Sequence, residues 1–475
     1  MGTEAPAAER VAVRQHDHDA PQVIRRLIRR RMKLLHANDT PGIHAPSWYA
    51  ATFAPAERPP LEDNIDADIC IIGGGYTGLA AAHEAALSGH SVVVLEAHRV
   101  GWGASGRNGG QLGSGFNQDQ RALEAAVGRD RAHALWDIVE NTRSSLLALS
   151  VEQGIDVQYR PGIVTALHRA RKLASLHDYC EFLARNYPDS GLEPLDRTAL
   201  RSLVASDNYH GGAIDRHAGH LHPLRLAAAL ASAAEGAGAV LHERSEVLRV
   251  DVPPAGTPAR VVTALGSVRA EHVIVAANGY LDDLSGKGLH GSDLPGDISS
   301  YIMPINNFIL VTEPLGVRAL ELLPEDHAVA DSRFVVNYFR LTPDRRLLFG
   351  GGENYRYRFP RDMAQRTRAA MLGVFPKLGD TRTDFAWGGT LSITRSRLPF
   401  VKSLTPFLHC AGGYSGHGIV LASACGRAIV RAIDGDAEHM DLLSALPTGR
   451  FPGGMRARPA LLAGALSTAR LLDRL

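Results

Sequence analysis

The chain reads as an α/β protein in which a Rossmann-like domain is interleaved with a mixed-sheet α+β domain. Three glycine-bearing segments, far apart in sequence, predict this. The first is Asp68-Ile69-Cys70-Ile71-Ile72-Gly73-Gly74-Gly75-Tyr76-Thr77-Gly78, followed by Ser91-Val92-Val93-Val94-Leu95-Glu96. The second runs from Gly101 to Gln111 as GWGASGRNGGQ. The third, Gly412-Gly413-Tyr414-Ser415-Gly416-His417-Gly418, lies between an apolar run and an alanine-rich one.

The first segment is a short apolar strand running into GxGxxG, a small-residue helix over 77–87, and a second strand ending on an acid. These parts fall in the order of one βαβ unit, which gives the motif weight that an isolated GxGxxG lacks. Such glycines turn tightly and let backbone N–H groups approach a pyrophosphate at the helix N-terminus, while an acid about twenty residues on holds a ribose hydroxyl pair. The expected contacts are Gly73, Gly75, Tyr76, Thr77, Gly78, Glu96 and Ala97.

The second segment selects the cofactor. A nicotinamide dinucleotide has no need of another glycine loop here, whereas FAD extends past its pyrophosphate and must be lined by close backbone. Gly103, Ala104, Ser105, Arg107, Asn108, Gly109, Gly110 and Gln111 are the expected contacts. In the third segment a strand over 407–411 meets a glycine turn and then a helix over 419–433. A helix N-terminus offers free N–H groups and partial positive charge, which suits the anionic edge of a reduced flavin ring. Gly413, Tyr414, Ser415, Gly416, His417 and Gly418 are therefore placed at the ring. The first domain is expected to be an FAD-binding Rossmann-like domain of the glutathione-reductase type.

Between these loops, residues 122–152 have helical spacing, 157–167 are strand-rich and 170–186 return to helix. Pro223 opens a helix through 236, and strands are expected over 238–242, 247–250 and 269–277. Val247 and Gly279 are expected to touch the cofactor, Gly279 because it follows a strand end at the ligand crevice. Residues 302–389 are strand-rich, with strands at 308–312, 334–341 and 346–350. The resulting domains are an N-terminal arm, expected to be partly disordered (1–60), the FAD domain (61–155, 204–285 and 390–450), a substrate domain (156–203 and 286–389) and a tail (451–475).

A chain of 475 residues with 45% hydrophobic and 21% charged residues is an ordinary globular composition. A net charge of +1 supplies no field for nucleic acid. Cys70, Cys180, Cys410 and Cys425 form no CxxC pair, so neither a zinc site nor a disulfide framework is expected, and a reducing cytoplasm is the expected location. No apolar run reaches the length of a membrane span. Residues 24–35 combine helical apolar spacing with Arg25, Arg26, Arg29, Arg30, Arg31 and Lys33. Weak contact with a membrane surface is one reading of this stretch, and a solvated helix or mobile arm is the other. The His16-Asp17-His18-Asp19 run is read as polar tail rather than metal site, and Met32 is an alternative translation start.

With these segments in view, the chain resembles the D-amino-acid-oxidase-like family of FAD-dependent amine oxidoreductases, and within it the putrescine-catabolising branch. The resemblance runs from about Trp48 to the C-terminus. It is carried by GWGASGRNGGQ, GHLHPLRLA (219–227), VIVAANGY (273–280), YFRLTPDRRLLFGGG (338–352), GYSGHG (413–418) and FPGG (451–454). Two departures matter. Neither the loop around Trp102 nor residues 390–399 offers the His or Cys with which some relatives tether flavin, which implies noncovalent FAD. Pro304-Ile305-Asn306-Asn307 lacks the basic residue that sarcosine-oxidase-like members use for oxygen activation, leaving oxygen or another electron acceptor open.

The resemblance implies hydride transfer from an amine carbon to flavin N5, then hydrolysis of the imine to an aldehyde and ammonia. A primary amine of pKa about 10.4 must first lose its proton, at a cost of about 4–5 kcal/mol at neutral pH. The pocket is therefore expected to be apolar and aromatic. Tyr338 and Arg340, two apart on a predicted strand, face one side. Tyr338 is assigned to flank the amine and Arg340 to bind a substrate carboxylate, with Trp387 as an aromatic wall and Arg397 as a second carboxylate partner. His417 is either catalytic or a structural hydrogen-bond donor. A sarcosine- or D-amino-acid-type oxidase is the alternative within this fold, and an FAD-bearing electron-relay module the alternative outside catalysis.

Overall fold

The computed structural model describes residues 33–252, 257–284, 289–290, 298–452 and 464. The β-branched runs pair in parallel at the centre of the first of two nine-stranded sheets. Asn64–Ile72 lies between Val92–Leu95 and Ser267–Val275, and Ser267–Val275 also pairs with Leu408–Gly412. These strands are covered on both faces, which is why they read as continuous apolar runs rather than alternating ones; Ile69, Cys70 and Ile71 are fully buried. Register aligns Ile72 with Leu95 and Val275, and Val275 with Cys410. The first and third glycine loops and the turn at Ala276 therefore emerge side by side at the carboxyl edge. The helix Tyr76–Leu87 packs beneath that edge with Pro223–Gly236 and Gly418–Ile433. Small residues allow the close crossing: a Cβ on Gly426 would lie 2.2 Å from the Thr77 carbonyl oxygen.

The second sheet runs from Thr383–Ile393 through Met303–Thr312, Leu347–Asn354, Tyr338–Leu341, Ala328–Asp331, Arg160–Ala166 and Gly212–His220 to Gln111–Leu112, with Leu192–Leu195 also on Gly212–His220. Its outer face is sealed by Phe339, Phe349, Phe375, Leu310 and Tyr209, with the helices Arg197–Leu203 and Met363–Val374.

Three sequence expectations change. Gly212–His220 belongs to the second sheet, so the domain boundary falls after 220 rather than at 203. The strand expected over 334–341 begins only at Tyr338, because the Asp331 carboxylate collects the N–H groups of Arg333 and Asn337 and turns the chain back. Residues 33–60 are docked rather than a loose arm, with Trp48 and Tyr49 buried against Leu224 and Trp387. The basic stretch up to residue 32, the His16–Asp19 run and most of the tail lie outside the described residues. Among those described, no helix is long and apolar enough to cross a membrane, and no group of His, Cys, Asp or Glu is gathered as a metal site.

Candidate active site

A single elongated cavity of about 1000 Å³ begins at Glu96 and Val247, passes all three glycine loops and ends against the inner face of the second sheet. Convergence of the loops follows from the strand register. The hydroxyls of Thr77 and Tyr414, from the first and third loops, hydrogen-bond at 2.6 Å.

At the first loop Gly73 has φ +112°, and a Cβ there would meet the Ala276 carbonyl oxygen at 2.7 Å. The following helix starts at Gly75 with no cap from that residue's own side chain; Ser105 takes the Tyr76 N–H, and among the described residues no side chain takes those of Thr77 and Gly78. Glu96 accepts the N–H of Gly74 at 2.7 Å and of His98 at 2.8 Å. Burial pushes its carboxyl up to about 7, and the neighbouring Glu243 adds to the rise against those two bonds. Glu243, fully buried, pairs with Arg99 at 2.6 Å and accepts the Val100 N–H at 2.9 Å, pinning the segment that carries Glu96 and Ala97.

The second loop is pegged by Arg107, whose guanidinium donates to the Trp102 carbonyl and pairs with Asp39, both at 2.6 Å, beneath the Trp102 ring. Its Nη2 is buried with no partner among the described residues. Asn108 folds its side chain back onto the Ala104 and Ser105 carbonyls, and Ser105 Oγ accepts the Tyr76 N–H at 3.0 Å. At the third loop the helix Gly418–Ile433 also lacks a side-chain cap, and Gly418, Ile419 and Val420 line the cavity. His417 presents its ring to the cavity; enclosure by the walls lowers its pKa to about 4, so it is a neutral imidazole above that pH.

These features fit FAD: free helix-start N–H groups, glycine backbone no side chain could replace, an orphaned arginine donor and a carboxylate at the far end. Most expected cofactor residues line the cavity, including Gly103, Ala104, Gly109, Gln111, Ser415 and Gly416. Gly78, Gly110, Gly279 and Gly413 do not. Each instead lets two pieces of chain touch: a Cβ would meet the Gly73 carbonyl oxygen at 2.0 Å, the Leu221 carbonyl oxygen at 2.1 Å, Thr390 Cγ2 at 3.1 Å and Thr394 Cγ2 at 2.6 Å, respectively.

Of the expected substrate residues, Tyr338 and Arg397 line the cavity, whereas Arg340 and Trp387 do not. The Tyr338 ring lies between Gly109 and Gly350, where Cβ atoms would fall 2.7 and 2.0 Å from it, and its hydroxyl donates to Asn307 Oδ1 at 2.5 Å. Arg340 shares that face but is spent on structure. It donates to the carbonyls of Gly109, Leu341 and Leu221 and to the Tyr49 hydroxyl, at 2.8–3.2 Å, and is 3% exposed. That correction removes it from carboxylate binding. Trp387 is a core residue whose indole N–H donates to the Arg107 carbonyl at 2.9 Å. Sequence reasoning missed Asn307, Glu353 and the Lys33–Glu246 ion pair at the Glu96 end of the cavity. Glu353 carried a signal, an acid directly after three strand glycines, but the expected strand stopped at 350.

A family model described as DAO, FAD dependent oxidoreductase, matches residues 68–432. The chain belongs to the DAO family. It is an FAD-dependent amine oxidoreductase. Among curated relatives it is 37% identical over 436 residues to gamma-glutamylputrescine oxidoreductase of Escherichia coli, covering 91% of this chain and 99% of that one. It is 39% identical over 431 residues to the probable oxidoreductase OrdL of Rhizobium meliloti, covering 90% and 97%. Among solved structures, glycine oxidase from Geobacillus kaustophilus aligns with a TM-score of 0.64 at 20% identity, over 78% of this chain and 95% of that one. L-proline dehydrogenase from P. horikoshii aligns at 0.62 and 20%, over 78% and 94%. At that identity the likeness is one of fold.

Proposed function

We propose that this DAO-family member oxidises the primary amine of gamma-glutamylputrescine to the aldehyde, releasing ammonia and passing two electrons to dioxygen to form hydrogen peroxide. One observation carries the reading: the cavity does not end at the glycine loops but continues into a chamber under the second sheet, with Tyr338 on its wall and Arg397 free of side-chain bonds among the described residues. The near full-length likeness to a relative named for that substrate supports the same choice.

Held along the three glycine loops, FAD would supply the acceptor for a hydride from the carbon beside the nitrogen. The chain's own residues prepare the amine. Tyr338 cannot swing, being wedged between two glycines and tethered to Asn307, so it fixes one wall of the chamber. The neutral His417 adds no positive charge to repel an incoming ammonium. Ile309, Leu391 and Ile393 exclude water and disfavour the ammonium form. Noncovalent FAD is part of this proposal.

The test is anaerobic mixing of the yellow protein with gamma-glutamylputrescine, putrescine, glycine, sarcosine and D-alanine, followed by a peroxide assay in air. Gamma-glutamylputrescine should bleach the flavin fastest, and turnover should rise from pH 7 to 9 as the bound amine loses its proton. Preferential bleaching by sarcosine or D-alanine would overturn the substrate. Bleaching without peroxide would overturn oxygen as acceptor.

A further inference from the structure

Two opposite charges on the cavity wall have no charged partner of their own. Glu353 lies at the end of Leu347–Asn354, in register with Asn307, and its carboxylate accepts only the Tyr355 hydroxyl, at 2.5 Å. Arg397 lies on the turn after Thr383–Ile393, and among the described residues its guanidinium makes neither a hydrogen bond nor an ion pair. Its backbone sits at φ +64°, a left-handed conformation that costs a residue with a side chain roughly 1 kcal/mol or more. Other cavity-lining arginines are committed: Arg107 to Asp39 and Arg333 to Asp331. Both side chains line the same cavity, and burial raises the Glu353 carboxyl above its ordinary value, opposed by its Tyr355 bond and by the Arg397 charge.

A strained arginine left unbonded beside a half-buried, unpaired carboxylate is poor economy for folding alone and good design for a ligand bearing both charges. We propose that Glu353 and Arg397 clamp the ammonium and carboxylate of an α-amino-acid group carried at the unreacting end of the amine substrate. This rests on the substrate reading above and explains its selectivity. Arg397 receives the carboxylate through a forked pair of N–H donors, and Glu353 accepts from the ammonium. The reacting nitrogen cannot occupy this place, because a carboxylate beside it would hold it protonated and unreactive. It goes to the neutral wall at His417, and the substrate must therefore be long enough to reach both ends.

The experiment compares wild type, Glu353→Gln and Arg397→Gly as FAD-loaded enzymes on three amides of putrescine: gamma-glutamyl, glutaryl (carboxylate only) and acetyl (neither charge). Glycine is favoured at positive φ, so Arg397→Gly removes the charge without straining the turn. Wild type should prefer the gamma-glutamyl amide over the acetyl amide in kcat/KM. Both variants should lose about 10- to 100-fold of that preference, mainly through KM. Arg397→Gly should also lose the preference for the glutaryl amide, which Glu353→Gln should keep. Wild type that oxidises the amides, with variants that retain the preference, overturns the clamp alone. Wild type whose flavin no putrescine amide bleaches overturns the substrate reading and the clamp together.

Discussion

Individual residues in this site divide by whether their polar atoms are already used. Arg340 and Arg397 carried the same expectation from sequence, that of binding a substrate carboxylate, and only three dimensions separate them. Arg340 is fully bonded to buried carbonyls and one phenol, so its removal should register as instability and not as lost recognition. Arg340→Ala leaves three buried carbonyls short of a donor, which should cost roughly 3–5 kcal/mol. Urea unfolding of the holoenzyme would measure this, and the KM values for gamma-glutamyl- and acetylputrescine should shift by similar factors. A selective loss on the carboxylate-bearing amide would return Arg340 to the substrate site. The same logic explains what was legible from sequence. Backbone-driven features such as the GxGxxG turn and both uncapped helix starts show in sequence, because few residues but glycine permit them. Side-chain allegiance does not show, since the Gly109 and Leu221 carbonyls that claim Arg340 lie 231 and 119 residues away.

Among the elements, the least anticipated is the segment from Lys33 to Pro46, which straps over the Glu96 end of the cavity and the second glycine loop. Lys33 and His36 both bond Glu246, at 2.6 and 2.9 Å. The Gly42 N–H donates to His98, the Trp102 indole to the Ile43 carbonyl, and Asp39 pairs with Arg107. Burial alone would raise the Glu246 carboxyl, but the bonds from His36 and Lys33 win and hold it at about 2. Polar composition and basic charge suggested a loose arm, because its partners sit on loops that periodicity cannot place. By contrast, the helices Tyr76–Leu87, Pro223–Gly236 and Gly418–Ile433 agree with the sequence pattern to within a residue or two, as do the parallel strands except the first, which starts at Asn64 rather than Asp68. If the strap closes that end of the cavity, Glu246→Gln should loosen it. FAD release on dilution, followed by the recovery of flavin fluorescence, should speed up about tenfold, the effect of losing one partly buried charge pair worth about 1.4 kcal/mol. An unchanged release rate would show that the strap rests on the cradle without guarding it.

Across the whole molecule, both sheets bury histidines that stay neutral, and this sets how stability responds to acid. His98, His220, His222 and His409 are each 5% exposed or less. Burial first of all lowers their pKa values, to about 4, 3, 3 and 4, with Arg340 also disfavouring charge on His220 and His222. In the unfolded chain each takes up a proton near pH 6.5, so between 6.5 and about 4 the unfolded state binds up to four more protons than the native one. The stability they contribute is complete above 6.5 and is lost as pH falls toward their folded values. Glu96 acts in the opposite sense: its folded value is raised to about 7, so its contribution is present below its ordinary value of 4.5 and fades as pH rises through 7. For these four histidines set against this one carboxylate the net uptake on unfolding is about three protons, or about 4 kcal/mol per pH unit from this set. The urea midpoint should therefore be nearly constant from pH 8 to 7 and fall steeply from 6.5 to 5, while flavin reduction by the amine rises over the separate range of 7 to 9. A midpoint that stayed level down to pH 5 would mean that these histidines are already charged in the folded protein. The neutral core that positions Arg340, and through it the Gly109 backbone beneath Tyr338, would then be wrongly described.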